Sequence, residues 1–259
     1  MDLIIDRLNV YNKKIPEKLL GVYYFIDRHE NILYIGKSID VKKRINQHLS
    51  NGRKRLINTF SKVKIKKLHT ELESLLFESQ EIKKYRPIFN RKLRKYKNKY
   101  SLITEINEEG YRYYRLSNLN NEDPLIDFFS FRNAKKFILK LTKQHNLCEK
   151  INKLDNSSKS CFQYHLKNCN GACLRLESNN EYNKRFEDSL ENIIKYPKDC
   201  KIEFTENKTY VIIRLNKVVE FGVKSISQWT VNFPSNDELR IVNTFKNKSE
   251  KKVKIKVLY

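Results

Sequence analysis

The sequence predicts an α+β protein: a small domain of short strands and helices, then a cysteine-rich helical segment, then a β-rich C-terminal region. Three observations carry that expectation. Residues 21–35 (GVYYFIDRHENILYI) hold two apolar runs around a polar DRHEN, the signature of a hairpin. Two stretches repeat apolar residues at helical spacing: Val41, Ile45 and Leu49, then Leu72, Leu75, Leu76 and Ile82. From residue 201 onward, IEF, TYVIIRL and VVEFGV alternate apolar and polar positions as strands do.

In chain order, residues 1–15 read as a leader or a short strand. They lack the long apolar region and small-residue cleavage site of a signal peptide, so the expected compartment is the cytoplasm. Gly21–Ile26 and Ile32–Ile35 form the hairpin, ending at Gly36. Ser38 can cap the helix that follows, and Asn51-Gly52 closes it. Residues 53–67 are strongly basic. Within them Val63 and Ile65 alternate with Lys62, Lys64 and Lys66, which suits an edge strand with a charged outer face. The next helix spans Glu71–Tyr85 and stops at Pro87. Its apolar side leaves Glu71, Glu73 and Glu81 on the solvated one. Tyr100 to Leu116 forms a second hairpin around Asn107-Glu108-Glu109-Gly110. Helices follow at 131–145, 181–195 and 236–246, and the basic KKVKIKVLY is a last strand. The chain divides on this pattern into 16–98, 99–147, 148–200 and 201–259, and nothing in the last segment suggests a role.

Composition narrows the partners. Among 259 residues, 53 Lys and Arg face 30 Asp and Glu, a formal charge of +23. Such a chain favours polyanions, nucleic acid first. A membrane is not expected, because no apolar run approaches the ~18 residues of a spanning helix. Five cysteines in a reducing compartment read as thiols or metal ligands rather than disulfides.

Several polar residues sit where chemistry would use them. Glu78 falls within the apolar side of its helix, where a lone carboxylate is costly unless it is paired or binds a metal; otherwise it borders the stripe. Arg44 and His48 are four apart and share a helix face. Lys37 follows a glycine at a strand end, where a phosphate could approach closely. Tyr23 and Tyr34 lie on adjacent strands, as packing residues or as site residues.

Taken together, Gly21-Val22-Tyr23, Tyr34-Ile35-Gly36, Lys37, Arg44, His48, Glu78 and Asn90 resemble the GIY-YIG nuclease domain, with Val for the usual Ile in the first triplet. ELESLLFESQEIKKYRPIFN resembles the glutamate helix and following asparagine of the UvrC-type branch. The resemblance covers about residues 16–95 and implies a three-stranded antiparallel sheet flanked by helices. It implies that Glu78 holds one Mg²⁺ or Mn²⁺, which acts as a Lewis acid on the scissile phosphate. Tyr23 would activate the attacking water or relay its proton, with Lys37 as a nearby cation. Tyr34 and His48 would order the nucleophile, and Arg44 would meet the charge of the transition state. Asn90 would position the glutamate helix or bound water. Lys37, Lys43, Arg44, Arg53, Lys54, Arg91 and Arg94 are the basic residues expected on DNA.

Cys148, Cys161, Cys169 and Cys173 fall in a C-x12-C-x7-C-x3-C pattern, with Cys200 apart. Four clustered thiols suit a tetrahedral site for zinc or an iron–sulfur cluster, or they are free structural thiols. CFQYHLKNCNGACLRL followed by EYNKRFEDSLENII resembles the segment that follows the nuclease domain in UvrC and its shorter homologue Cho. It also resembles the C-terminal half of fusions to a polymerase III epsilon-type exonuclease. That resemblance favours the iron–sulfur cluster over zinc. The RNase H-type domain, UvrB-binding segment and helix-hairpin-helix units of full UvrC have no counterpart in the sequence. The expected function is therefore a metal-dependent, structure-selective DNA endonuclease. It would make a single-strand incision in nucleotide excision repair, on DNA or a UvrB–DNA complex. The alternatives are a mobile-element or restriction-type nuclease and a catalytically idle DNA-binding adaptor.

Overall fold

The computed structural model describes residues 2–12, 14–51, 54–90, 100–118, 124–128, 130–191, 193, 196, 198–248 and 252–258. The chain forms two compact units, Met1–Tyr96 with Lys198–Tyr259, and Lys97–Pro197.

The first unit begins β1 (Asp2–Asp6), α1 (Arg7–Tyr11), β2 (Gly21–Ile26), β3 (Ile32–Ser38), α2 (Val41–Asn51), α3 (Lys54–Thr59), β4 (Lys62–Lys67) and α4 (Glu71–Tyr85). Its antiparallel sheet has the order β1-β4-β2-β3. The expected three strands are present, and β1 adds a fourth. Strand β4 is thus not an edge. Asp2 of β1 pairs with Lys64 at 2.8 Å and Lys66 at 3.3 Å, so lysines suited to guarding an open edge meet a carboxylate instead.

Strand β2 is buried along its length. The pleat sends Tyr23 and Phe25 into a core with Val41, Ile45, Leu56 and Phe60, and Val22, Tyr24 and Ile26 into another with Ile35, Leu68 and Ile82. Helix α2 is capped by Asp40 rather than Ser38. The Asp40 carboxylate accepts the Lys43 amide at 3.0 Å, and the Ser38 hydroxyl is used on the Asp40 backbone. Helix α4 starts at Thr70, whose hydroxyl accepts the Glu73 amide, and ends at Arg86 in the left-handed region (φ 47°), just before Pro87.

The second unit holds β5 (Tyr100–Ile106), β6 (Arg112–Ser117), β7 (Ile126–Phe128), α5 (Phe131–Gln144), α6 (Phe162–His165), a 3-10 turn at Ala172–Leu174 and α7 (Asn179–Glu191). Its sheet order is β6-β5-β7. Tyr114, Ile138, Leu141, Tyr182 and Phe186 are buried together with Cys148, Cys161 and Cys169. The cysteine stretch, expected to be helical, is mostly turns. Positive φ angles at Lys153, Lys167, Gly171 and Arg175 bend it back on itself.

The chain then returns to the first unit as β8 (Cys200–Phe204), β9 (Thr209–Arg214), β10 (Lys217–Val223), β11 (Ser227–Thr230), α8 (Asn236–Lys248) and β12 (Val253–Val257). These strands form an antiparallel sheet in the order β11-β10-β9-β8-β12. Both α8 and β10 pack on α4. Glu73, expected on the solvated face, is therefore buried and accepts the Trp229 indole N–H at 2.8 Å. Elements α1, α3, α6, β7 and β11 run six residues or fewer, too short for periodicity to register. No helix among the described residues is long and apolar enough to cross a membrane.

Gly21 fixes the approach of β2 to β4, since a Cβ there would lie 2.1 Å from the Lys66 carbonyl oxygen. Gly21→Ala is expected to destabilise the fold by about 1–3 kcal/mol, measured by denaturant unfolding. An unchanged midpoint would show that the strands can part without cost.

Candidate active site

The pairing of β2 with β3 sets Tyr23 opposite Gly36. A Cβ on Gly36 would lie 2.4 Å from the Tyr23 hydroxyl and 2.9 Å from Tyr34 Cε1, so only glycine lets the Tyr23 ring settle there. The Tyr23 hydroxyl is 2.9 Å from His48 Nε2 on α2. The Tyr34 ring lies 5.2 Å from that of His48 and 6.2 Å from that of Tyr23. Burial, helped by Tyr34, pushes the Tyr23 phenol well above its ordinary value, while Arg44 pulls it down. The phenol is thus protonated at neutral pH, and the direction of its hydrogen bond with Nε2 follows the tautomer of His48. Arg44, one turn before His48, is exposed and donates to Gln47 Oε1 at 2.9 Å.

Glu78 reaches the same strand end from α4. Its Oε1 accepts the Lys37 amide at 3.0 Å. Burial raises its carboxyl to about 7, against the Lys37 amide and the charges of Lys37 and Arg44. One carboxylate is what Mg²⁺ or Mn²⁺ takes from a protein when waters and a substrate phosphate complete an octahedron. Lys37, expected beside a phosphate or Tyr23, instead pairs its ammonium with Glu71 in the first turn of α4. The Asn90 side chain reaches β3. Its Oδ1 accepts the Ile35 N–H and its Nδ2 donates to the Ile35 carbonyl, both at 2.8 Å, tying the chain after α4 to β3.

Tyr23, Tyr34, His48, Glu78 and the Lys37 backbone thus meet at one end of β3. Lys43 and Lys54 are exposed. Arg53, Arg91 and Arg94 lie outside the described residues. Two acids expected only on the solvated side of the helix also serve this region: Glu71 holds Lys37, and Glu81 accepts the Tyr24 hydroxyl at 2.7 Å. Glu71 lies two helical turns before Glu78, a spacing that places both on one face.

In the second unit, Cys148, Cys161 and Cys173 bring their Sγ atoms within 4.8 Å of one another. Cys148 and Cys161 are 3.8 Å apart, close to the ~3.8 Å edge of a tetrahedron with metal–sulfur bonds of ~2.3 Å. Cys169 hydrogen-bonds to Cys148 and Cys161. The Cys148 partner, with the Gly171 and Ala172 amides, lowers the Cys169 thiol to about 6 despite burial. Its Cys169 bond and burial raise Cys148 well above its ordinary value, and burial raises Cys161 to about 12. Cys148 and Cys161 resist ionising beside Cys169, and a cation among them would relieve the repulsion of their thiolates. Cys200 lies in β8, in the first unit.

The raised Glu78 carboxyl makes a stability prediction. The native state holds its proton more tightly than the unfolded chain, so stability falls as pH rises from about 4.5 to about 7. Glu78→Gln should then stabilise the metal-free protein at pH 8 by on the order of 1–3 kcal/mol and leave it unchanged at pH 4. Thermal unfolding in chelator at both pH values reads this. Equal stability at pH 8 would mean the carboxylate is well solvated.

Residues 19–91 match the UvrC-like GIY-YIG domain family, and residues 94–192 match the UvrC/Cho excinuclease middle domain. UvrABC system protein C of Mycoplasma capricolum is 32% identical over 172 residues, 62% of this chain and 28% of that protein. The protein of the same name from Borrelia duttonii is 30% identical over 204 residues, 75% of this chain and 33% of its own. That of Legionella pneumophila strain Lens is 27% identical over 245 residues, 90% and 36% respectively. The chain thus spans about a third of the length of the curated relatives it matches. The magnesium-bound GIY-YIG N-terminal endonuclease domain of UvrC from Thermotoga maritima is 26% identical. That match covers 32% of this chain and 96% of that domain, with a TM-score of 0.30. The two domain matches, in the order the sequence motifs follow, give this chain a UvrC-like GIY-YIG domain followed by a UvrC/Cho excinuclease middle domain.

Proposed function

We propose that this chain is a metal-dependent, structure-selective DNA endonuclease that makes a single-strand incision in excision repair, acting on DNA or a UvrB–DNA complex. The observation that carries the reading is the Tyr23–His48 hydrogen bond at the strand end where Glu78 sits with a carboxyl raised to about 7. It joins a proton relay to an ionisable oxygen ligand. The middle-domain match and the relatives' shared name favour repair over a mobile-element or restriction role. The formal charge of +23 supports a polyanionic substrate.

Tyr23 takes the proton of the attacking water as it passes its own to His48 Nε2, so the phenol need not ionise first. Tyr34 packs both rings and limits where that water can sit. Arg44, exposed on α2, meets the charge gathering on the phosphate with its fork of donors. Glu78 would hold the divalent ion, which supplies Lewis-acid activation of the phosphate when bound. Lys43 and Lys54 add exposed charge for the DNA backbone. Cys148, Cys161, Cys169 and Cys173 would hold an iron–sulfur cluster or zinc, with the first favoured by the family resemblance.

Nicking of supercoiled plasmid in Mg²⁺ tests the reading. Glu78→Ala and Arg44→Ala are each expected to lower the rate by at least about 10²-fold while DNA affinity stays within about twofold. Undiminished nicking by both would refute the assignment. For the cysteines, anaerobically purified protein should absorb broadly in the visible and lose that band in Cys148→Ser. A colourless protein with stoichiometric zinc would replace iron by zinc.

A further inference from the structure

Helix α4 is buried on the side away from Glu78 as well, and that side is polar. Ser79, the residue after Glu78, donates from Oγ to Glu238 Oε1 of α8 at 2.6 Å. Gln80 Nε2 donates to the same oxygen at 3.0 Å, and Lys83 Nζ pairs with it too. The Lys83 and Glu238 side chains are 1% and 0% exposed. Gln80 also exchanges two hydrogen bonds with the Phe233 backbone, and Lys83 donates to Ser235 Oγ at 2.7 Å. The other carboxylate oxygen of Glu238 accepts from the Ser235 backbone and hydroxyl. About two turns earlier on this side, Glu73 takes the Trp229 indole and the His69 amide. Thr70, which caps α4, receives a hydrogen bond from Thr209 of β9 at 2.9 Å.

These bonds differ from an apolar interface in what they control. Apolar side chains can slide and rotate past one another at small cost, whereas three donors on one helical turn converging on one buried oxygen admit a single rotation of the helix. A buried ion pair is weak evidence for stability but can specify geometry. The specified helix carries Glu78, and its neighbour Ser79 is one of the three donors. We infer that residues 198–259 are a positioning module for α4: the Ser79, Gln80 and Lys83 contacts with Glu238 set the rotation of the helix and so hold the Glu78 carboxylate at the end of β3. Glu238, Lys83 and Trp229 are positioning residues, since they act through the helix that carries Glu78. The inference rests on the divalent-ion role proposed for Glu78.

The double variant Lys83→Met with Glu238→Leu tests this. It removes both charges, so no uncompensated ion is left behind, and such replacements are often neutral for stability. Trp229 is the sole tryptophan of the chain and sits on Glu73, so its emission reports whether the module stays docked. Two readouts follow, the rise in Tm caused by Mg²⁺ and the nicking rate. The expected result is native Trp229 emission, loss of most of the Mg²⁺-induced rise in Tm, and a nicking rate at least about tenfold lower, since a misplacement of ~1 Å can cost ~10²-fold. Glu206→Gln, on an exposed ion pair of the same module with Lys252, should behave as wild type. A docked double variant with wild-type Mg²⁺ response and rate overturns the inference. Should the double variant fail to fold, Glu238→Gln, which keeps the shape and one acceptor, should show the same losses at about threefold, and no loss there overturns it. A wild-type protein that gains Tm from Mg²⁺ without nicking DNA would sink the proposed function while leaving the positioning role readable from Tm alone.

Discussion

Helix α4 must satisfy charged and polar side chains on two buried sides at once, and the first unit is arranged around that constraint. Moving a carboxylate or ammonium out of water costs several kcal/mol unless partners replace the solvent. Glu73, Glu78 and Lys83 each meet that cost differently. Glu73 is met by an indole and a backbone amide, and Lys83 by a carboxylate, a hydroxyl and a carbonyl. Glu78 accepts a backbone amide from β3, and its carboxyl stays raised to about 7.

The chemistry at the end of β3 depends on two small accommodations. Gly36 gives up a side chain so that Tyr23 can lie within reach of His48. Asn90 both accepts from and donates to the backbone of Ile35, one residue before Gly36, and so keeps β3 in register where Tyr34, Gly36 and Lys37 are displayed. Lys37 then contributes mainly through its backbone, because its ammonium is drawn to Glu71. His48 and the Glu78 carboxylate approach from elements on either side of the strand, α2 and α4.

The second unit handles its thiols by a related route. Cys148, Cys161 and Cys169 are buried, yet they are hydrogen-bonded to one another, and one of them ionises easily while the others resist. Turns rather than helices bring them together, since positive φ angles let a short stretch fold back and point several side chains inward.

Local pattern and motif made much of the first unit legible from the residues alone. The hairpin of β2 and β3, the limits of α4, the β-rich C-terminal region and the identities of Tyr23, Tyr34, Arg44, His48 and Glu78 all follow from spacing of two or four residues or from the family resemblance. Nothing local told Ser38 from Asp40 as a cap, because both types cap helices and only the backbone path chooses. The burial of Glu73 and Lys83 was equally hidden, though Glu73, Gln80 and Lys83 share one helical face that could have marked a second interface. Only the tertiary structure decided that β1 covers β4, that Asn90 binds Ile35 and that residues 198–259 dock on α4. Each of these joins groups more than 50 residues apart, and a charge reveals whether it is solvated or matched only when its partner arrives.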